Sequence, residues 1–134
     1  LKEIKQIDFS DKMLLDTSAW IELFIKSELG KKVGDVIKNK QCYTSLVTIA
    51  EISNWVQQGL DESEYIFYIT KLSQILDISE GISKTAGKLK YERNKTVKKF
   101  GMIDAFILAT SIEYNLKILT KDSDFKGLEN VELL

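Results

Sequence analysis

Short apolar runs alternate with longer stretches of helical spacing, and this rhythm constrains the fold more than any other feature of the chain. KMLLD (Lys12 to Asp16), QCYTS (Gln41 to Ser45), ILDI (Ile75 to Ile78) and KILT (Lys117 to Thr120) have the length and apolar character of strands, and the closing VELL adds one more. Between them lie segments with helical periodicity. AWIELFIKSEL follows Thr17 and Ser18 as N-cap candidates, and Lys31 to Asn39 is a second helix opened by Gly30. Leu46 to Gln58 is stopped by Gly59, and Asp61 to Ser73 is a further helix. Ser79 to about Lys99 is long and charged, with a break expected near Gly87 or Asn94, and Gly101 to Asn115 is strongly apolar. Proline is absent, so these boundaries rest on glycine and charge. Strands alternating with helices predict an α/β fold with a parallel sheet covered on both faces. Such sheets carry their sites at the carboxyl ends of the strands, near a topological switch point.

With 134 residues and no repeat, linker or low-complexity tract, one domain spanning 1–134 is expected. A composition 44% hydrophobic and 29% charged is that of a globular chain rather than a disordered one. The apolar runs fall far short of the ~20 residues that cross a bilayer. The opening LKEIKQIDFSDK interleaves charge with apolar residues and lacks a signal-peptide core, so a cytoplasmic setting is expected. The aromatic residues between Trp55 and Phe67 are expected in the core or on a helix-pair surface.

The sequence contains no histidine and a single cysteine, Cys42. That excludes Ser-His and Cys-His nucleophile pairs, a histidine general base, an intramolecular disulfide and a cysteine metal cluster. Catalysis is left to carboxylates, lysines, hydroxyls or a metal held by oxygen. Four carboxylates stand out. Asp16 closes the first strand and Asp122 lies just past Thr120, so both belong on one edge of a parallel sheet. Glu51 shares a helical stripe with Val47 and Trp55, and Asp104 is flanked on its helix face by Ile107 and Leu108. A carboxylate in an apolar stripe is costly unless its charge is compensated.

Each acid also has a plain structural reading. Asp16 caps the next helix, Glu51 pairs with a lysine, Asp104 favours a helix dipole, and Asp122 and Asp124 are turn residues. Their joint occurrence weakens these readings. An oxygen-only donor set favours magnesium or manganese over zinc, and carboxylates around such ions support attack of water on phosphate without histidine.

Four segments in order, LLDTSAW, TSLVTIAEI, GMIDAFILATS and LKILTKDSDF, resemble the PIN-domain family, and within it the VapC-type toxin ribonucleases. The resemblance implies a three-layer α/β/α sandwich with a mostly parallel central sheet, and residues 1–134 as a single PIN-like nuclease domain. It implies an endoribonuclease that hydrolyses RNA phosphodiesters with Mg2+ or Mn2+, acting as the toxin of a type II toxin–antitoxin pair. Partners would be RNA, a small antitoxin protein and a second copy in a homodimer, with no membrane. Asp16, Glu51, Asp104 and Asp122 would be the catalytic, metal-holding quartet, with Asp124 as an alternate fourth acid and Ser18 and Thr120 as supporting polar residues.

Lys84 to Lys99 holds seven basic side chains and one acid, a local +6 within a chain of net −1. This is either a solvated helix face or a phosphate-contacting rim, in which Lys84, Lys88, Arg93, Lys98 and Lys99 are the candidate RNA-binding residues. Two other functions compete with the nuclease. A phospho-accepting receiver domain would use Asp77 as acceptor, and a nonenzymatic PIN-like binding module would keep the fold alone. No glycine-rich phosphate loop follows any strand, which disfavours a nucleotide-binding domain.

Overall fold

The structure, a computed structural model, describes residues 11–134, so the expected lack of a signal-peptide core in the opening segment falls almost wholly outside the described residues. The strands are β1 (Lys12–Leu15), β2 (Gln41–Ser45), β3 (Gln74–Leu76), β4 (Lys117–Thr120) and β5 (Val131–Leu133). The helices are α1 (Thr17–Phe24), α2 (Glu28–Asn39), α3 (Leu46–Trp55), α4 (Glu62–Leu72), α5 (Glu80–Arg93) and α6 (Met102–Tyr114). The described strands form one sheet in the order β3-β2-β1-β4-β5. Every pairing is parallel, so the sheet is more uniform than the expected mostly parallel one. The chain builds outward from β1 through β2 to β3, then returns to lay β4 against the other side of β1. The switch point therefore falls between β1 and β4.

Alternation along β1 explains the layers. Leu14 packs with Ile118 of β4 against Ile82 and Ala86 of α5, Phe100, and Ala105, Leu108 and Ala109 of α6. Met13 and Leu15 point the other way, with Leu119, onto Trp20, Val33, Ile52 and Ile69 from α1 to α4. Each buried Leu, Ile, Val, Phe or Met among these contributes about 1.5–3 kcal/mol, and the two faces together hold helices on both sides of the sheet. Phe24 joins Trp20, Trp55 and Tyr65 in a run of ring contacts. Phe67, by contrast, is exposed. No described helix is long and apolar enough to cross a membrane.

Several boundaries differ from the sequence expectation for identifiable reasons. Asp16, rather than Thr17 or Ser18, caps α1, its carboxylate accepting from Ala19 N–H. The AWIELFIKSEL segment is not one helix. α1 stops at Phe24, Lys26 takes a left-handed φ of 57°, and Ser27 caps α2 by accepting from Gly30 N–H. Gly30 therefore lies inside α2 instead of opening it. Its role is close approach, since a Cβ there would sit 2.2 Å from the Glu22 carbonyl oxygen. The charged segment after Ser79 breaks at Asn94, not at Gly87. The Asn94 side-chain amide donates to the carbonyls of Val97 and Phe100 at 3.1 and 2.8 Å and folds the chain back toward α6. β3 ends at Leu76, which leaves Asp77 beyond it and exposed.

Gly30→Ala should lower unfolding free energy by about 3 kcal/mol, because the new methyl meets backbone that must move. Urea denaturation would read this as a lower midpoint at unchanged slope, and an unchanged midpoint would refute the close-approach account.

Candidate functional site

The carboxyl ends of β1 and β4 meet at the switch point, and the chain places an acid or a hydroxyl at each step there. Asp16 follows β1 directly and is 7% exposed. Its Oδ1 accepts from Ser18 Oγ at 2.6 Å and from Ala19 N–H at 3.1 Å, while Oδ2 accepts from Thr120 Oγ1 at 2.6 Å. Thr120 Oγ1 in turn accepts from Asp122 N–H at 2.9 Å, and Ser18 Oγ accepts from Lys121 N–H at 2.9 Å. Ser18 and Thr120 thus tie the Asp16 carboxylate to the loop after β4. Burial pushes the Asp16 carboxyl above its ordinary value, and the charge of Asp122 adds to this. The Ser18 and Thr120 hydroxyls and Ala19 N–H oppose it.

Asp104 comes to the same place from the first turn of α6. Its Oδ2 accepts from Gly101 N–H at 2.9 Å, so the acid also closes the helix start. Asp122 and Asp124 arrive on the loop after β4, where Asp122 Oδ1 accepts from Asp124 N–H at 2.9 Å and caps the 3-10 turn Ser123–Phe125. Asp104, Asp122 and Asp124 each offer one carboxylate oxygen, all within 4.8 Å of one another. The Asp104 carboxyl is pushed up to about 6, first by burial and then by the charges of Asp122, Asp124 and Asp16, against the Gly101 hydrogen bond. Such mutual repulsion is what a shared cation would relieve.

The expected quartet is therefore drawn differently in space. Asp104, Asp122 and the alternate Asp124 form the close group, with Asp16 beside them in electrostatic contact. Asp124 lies on the turn that Asp122 caps. Glu51 stands outside that close group. Its Oε1 accepts from Thr17 Oγ1 at 2.5 Å, and Thr17 is also 3.3 Å from Thr48 Oγ1. It reaches the site through Asp16's chain neighbour. Asp77, the acceptor a receiver domain would need, follows the edge strand β3 and is absent from the acid group.

The basic segment is less uniform than its charge count. Lys84 pairs with Glu80 at 3.0 Å and Lys95 with Glu92 at 3.1 Å, both on exposed surface. Arg93 donates through Nη2 to the carbonyls of Asp124 and Lys126. Lys88, Lys98 and Lys99 are exposed, the last two in the turn that leads to Asp104.

Sequence reasoning missed Glu22. This carboxylate is 5% exposed, accepts from Lys121 Nζ at 2.6 Å, and is hydrogen-bonded by Ser27. The Lys121 hydrogen bond, with that of Ser27, holds the Glu22 carboxyl below its ordinary range. Nothing in the local pattern marks it, because its partners come from a loop about a hundred residues on and from the turn after α1.

The PIN-domain family profile matches residues 13–130. Among solved structures the chain is similar to a toxin–antitoxin complex from Klebsiella pneumoniae, with 25% identity and a TM-score of 0.75, covering 90% of this chain and 95% of that one. It shares its fold with VapBC2 of Rickettsia felis bound to a promoter DNA fragment, at TM-score 0.72 and 19% identity, with 92% and 97% covered. The same holds for VapC20 of Mycobacterium tuberculosis, a sarcin–ricin-loop-cleaving toxin, at TM-score 0.71 and 12% identity, with 90% and 98% covered. No curated protein matches the sequence.

The raised Asp104 carboxyl makes a signed prediction for the metal-free protein. Its folded-state proton is held more tightly than in the unfolded chain, so acid favours the fold and stability falls as pH rises toward about 6. Asp104→Asn removes the repelling charge yet keeps an acceptor for Gly101 N–H. In chelator, its Tm should exceed wild type by about 2–4 °C near neutral pH, and the gap should close by about pH 4. A variant that melts below wild type at neutral pH would show that the acid stabilises the fold instead.

Proposed function

The chain belongs to the PIN-domain family, and from that premise we propose that it is a Mg2+- or Mn2+-dependent endoribonuclease, the toxin of a type II toxin–antitoxin pair. The observation that carries this reading is the convergence of Asp104, Asp122 and Asp124, with Asp16 beside them, at the switch point of the sheet. The donor set is all oxygen, and it suits a hard divalent cation. Asp104, Asp122 and Asp124 would hold the ion, with Asp16 next to it and Glu51 as the further acid tied through Thr17. A bound ion would supply the positive charge that acidifies water and offsets charge gathering on a phosphodiester.

The chain's own residues do the positioning. Thr120 and Ser18 fix the Asp16 carboxylate by two short hydrogen bonds and oppose the upward push of burial on its carboxyl. Gly101 N–H fixes the Asp104 carboxylate at the start of α6. Without compensation the cluster carries excess negative charge, which repels an RNA backbone. Lys98 and Lys99, together with Lys88 and the partly paired Lys84, are proposed to contact RNA phosphates and draw the strand toward the acids. Arg93 is left out of this set because its guanidinium faces protein carbonyls. The toxin–antitoxin relatives support a small antitoxin as partner and a cytoplasmic setting, and we propose a homodimer as the working form.

Purified protein with Mn2+ should cleave RNA, and Asp104→Asn and Asp16→Asn should each reduce the rate at least about a hundredfold. Even partners that only orient a metal ligand are worth about 10–100-fold. Equal cleavage by wild type and Asp104→Asn would sink the mechanism. Metal binding with no cleavage of any RNA would leave the binding-module reading in its place. Induced expression of wild type should arrest growth and generate new RNA ends, while Asp16→Asn should do neither.

A further inference from the structure

Two of the three converging acids sit on an irregular loop. The segment between β4 and β5 contains one turn of 3-10 helix, Ser123–Phe125, and otherwise no regular structure. Carboxylates this close repel one another, so the loop must be held in place from outside. From the α1 side, Lys121 is anchored by its ion pair with the buried Glu22. From the opposite face of the sheet comes Arg93, the last residue of α5. One nitrogen, Nη2, donates to the carbonyls of both Asp124 and Lys126, each at 2.8 Å. The guanidinium lies 5.7 Å from the centre of the Phe100 ring. Phe100 in turn meets Phe125, the buried residue of that same loop, edge to face at 5.4 Å. The Arg93 Nε is buried and has no partner among the described residues, so the two carbonyl bonds carry the compensation for burying this group.

We propose that Arg93 is a positioning residue for the acid group. By tying the main chain at Asp124 and Lys126 to the end of α5, it keeps Asp122 and Asp124 close enough to Asp104 for the three to share one divalent cation. This rests on the divalent-cation reading above, and it reverses the sequence expectation that Arg93 contacts RNA.

The sign of one measurement separates this role from simple electrostatics. Removing a positive charge from beside an acid cluster should by itself tighten cation binding. Loss of the positioning tie should weaken it. Mn2+ would be titrated calorimetrically into RNA-free protein for wild type, Arg93→Met and Lys95→Met. Lys95 lies just past the same helix end and pairs with Glu92, so its variant loses a charge without losing a tie to the loop. Arg93→Met should bind Mn2+ about 10-fold more weakly while keeping a native near-ultraviolet circular dichroism spectrum, and Lys95→Met should not be weakened. Saturating Mn2+ should restore RNA cleavage by Arg93→Met toward the wild-type maximal rate. Should Arg93→Met not fold, Arg93→Lys keeps the charge and the stem but loses the planar fork, and it should bind severalfold more weakly than wild type. Wild-type or tighter affinity in the folded Arg93 variant, or a matching loss in Lys95→Met, overturns the proposal while the nuclease reading stands. Absence of Mn2+ binding by wild type itself overturns both.

Discussion

The Asp16 carboxylate, gripped on one oxygen by Ser18 and on the other by Thr120, is the interaction on which the rest of the site depends. It joins the ends of two strands that are neighbours in space but about a hundred residues apart in sequence. The same carboxylate starts α1 through Ala19 N–H. Three requirements therefore meet in one side chain: a helix cap, a bond between strand ends and a negative charge at the switch point. Burial opposes that charge, and the hydroxyls supply what water would otherwise provide. Without them the buried carboxylate would lose its partners and the loop after β4 would lose its ties to the end of β1.

Much of this was legible in the chain. The alternation of short apolar runs with helices is a physical consequence of a sheet buried on both faces, and it led directly to the parallel α/β architecture. Asp16 and Asp122 could be put on one edge because each closes or follows a strand. The ordinary structural readings of these acids also hold: Asp16 and Asp122 are caps, and Asp104 sits in the first turn of α6, accepting from Gly101 N–H. In these residues capping and site geometry are the same fact, because a cap points its carboxylate at the end of a strand or helix where the backbone leaves donors unpaired.

What was not legible depends on contacts between distant parts of the chain. The α1–α2 break is a local exception, set by a left-handed Lys26 and the Ser27 cap, with Gly30 allowing α2 to pass close to the Glu22 carbonyl. Glu22 is buried by an ion pair with Lys121 and a hydrogen bond from Ser27, and the former partner lies about a hundred residues away in sequence. Arg93 was counted with its basic neighbours because charge along a sequence does not say which cations face solvent. Glu51 carries an apolar helical context as expected, yet Thr17 holds it one step away from the close acid group. Asp124 joins the acid group from a turn that Asp122 caps, and spacing in the sequence does not choose between the two.

The two outermost strands, Gln74–Leu76 and Val131–Leu133, are three residues each. Borders this short offer few unpaired peptide groups for a foreign strand to zip onto. Lateral growth of the described sheet is thereby discouraged, which turns attention to its helical sides. There, Phe67, Tyr68 and Leu72 of α4 stand exposed on one flank and Met102, Ile103 and Ile112 of α6 on the other. Side chains on those flanks can vary without touching the ladder that the central strands form.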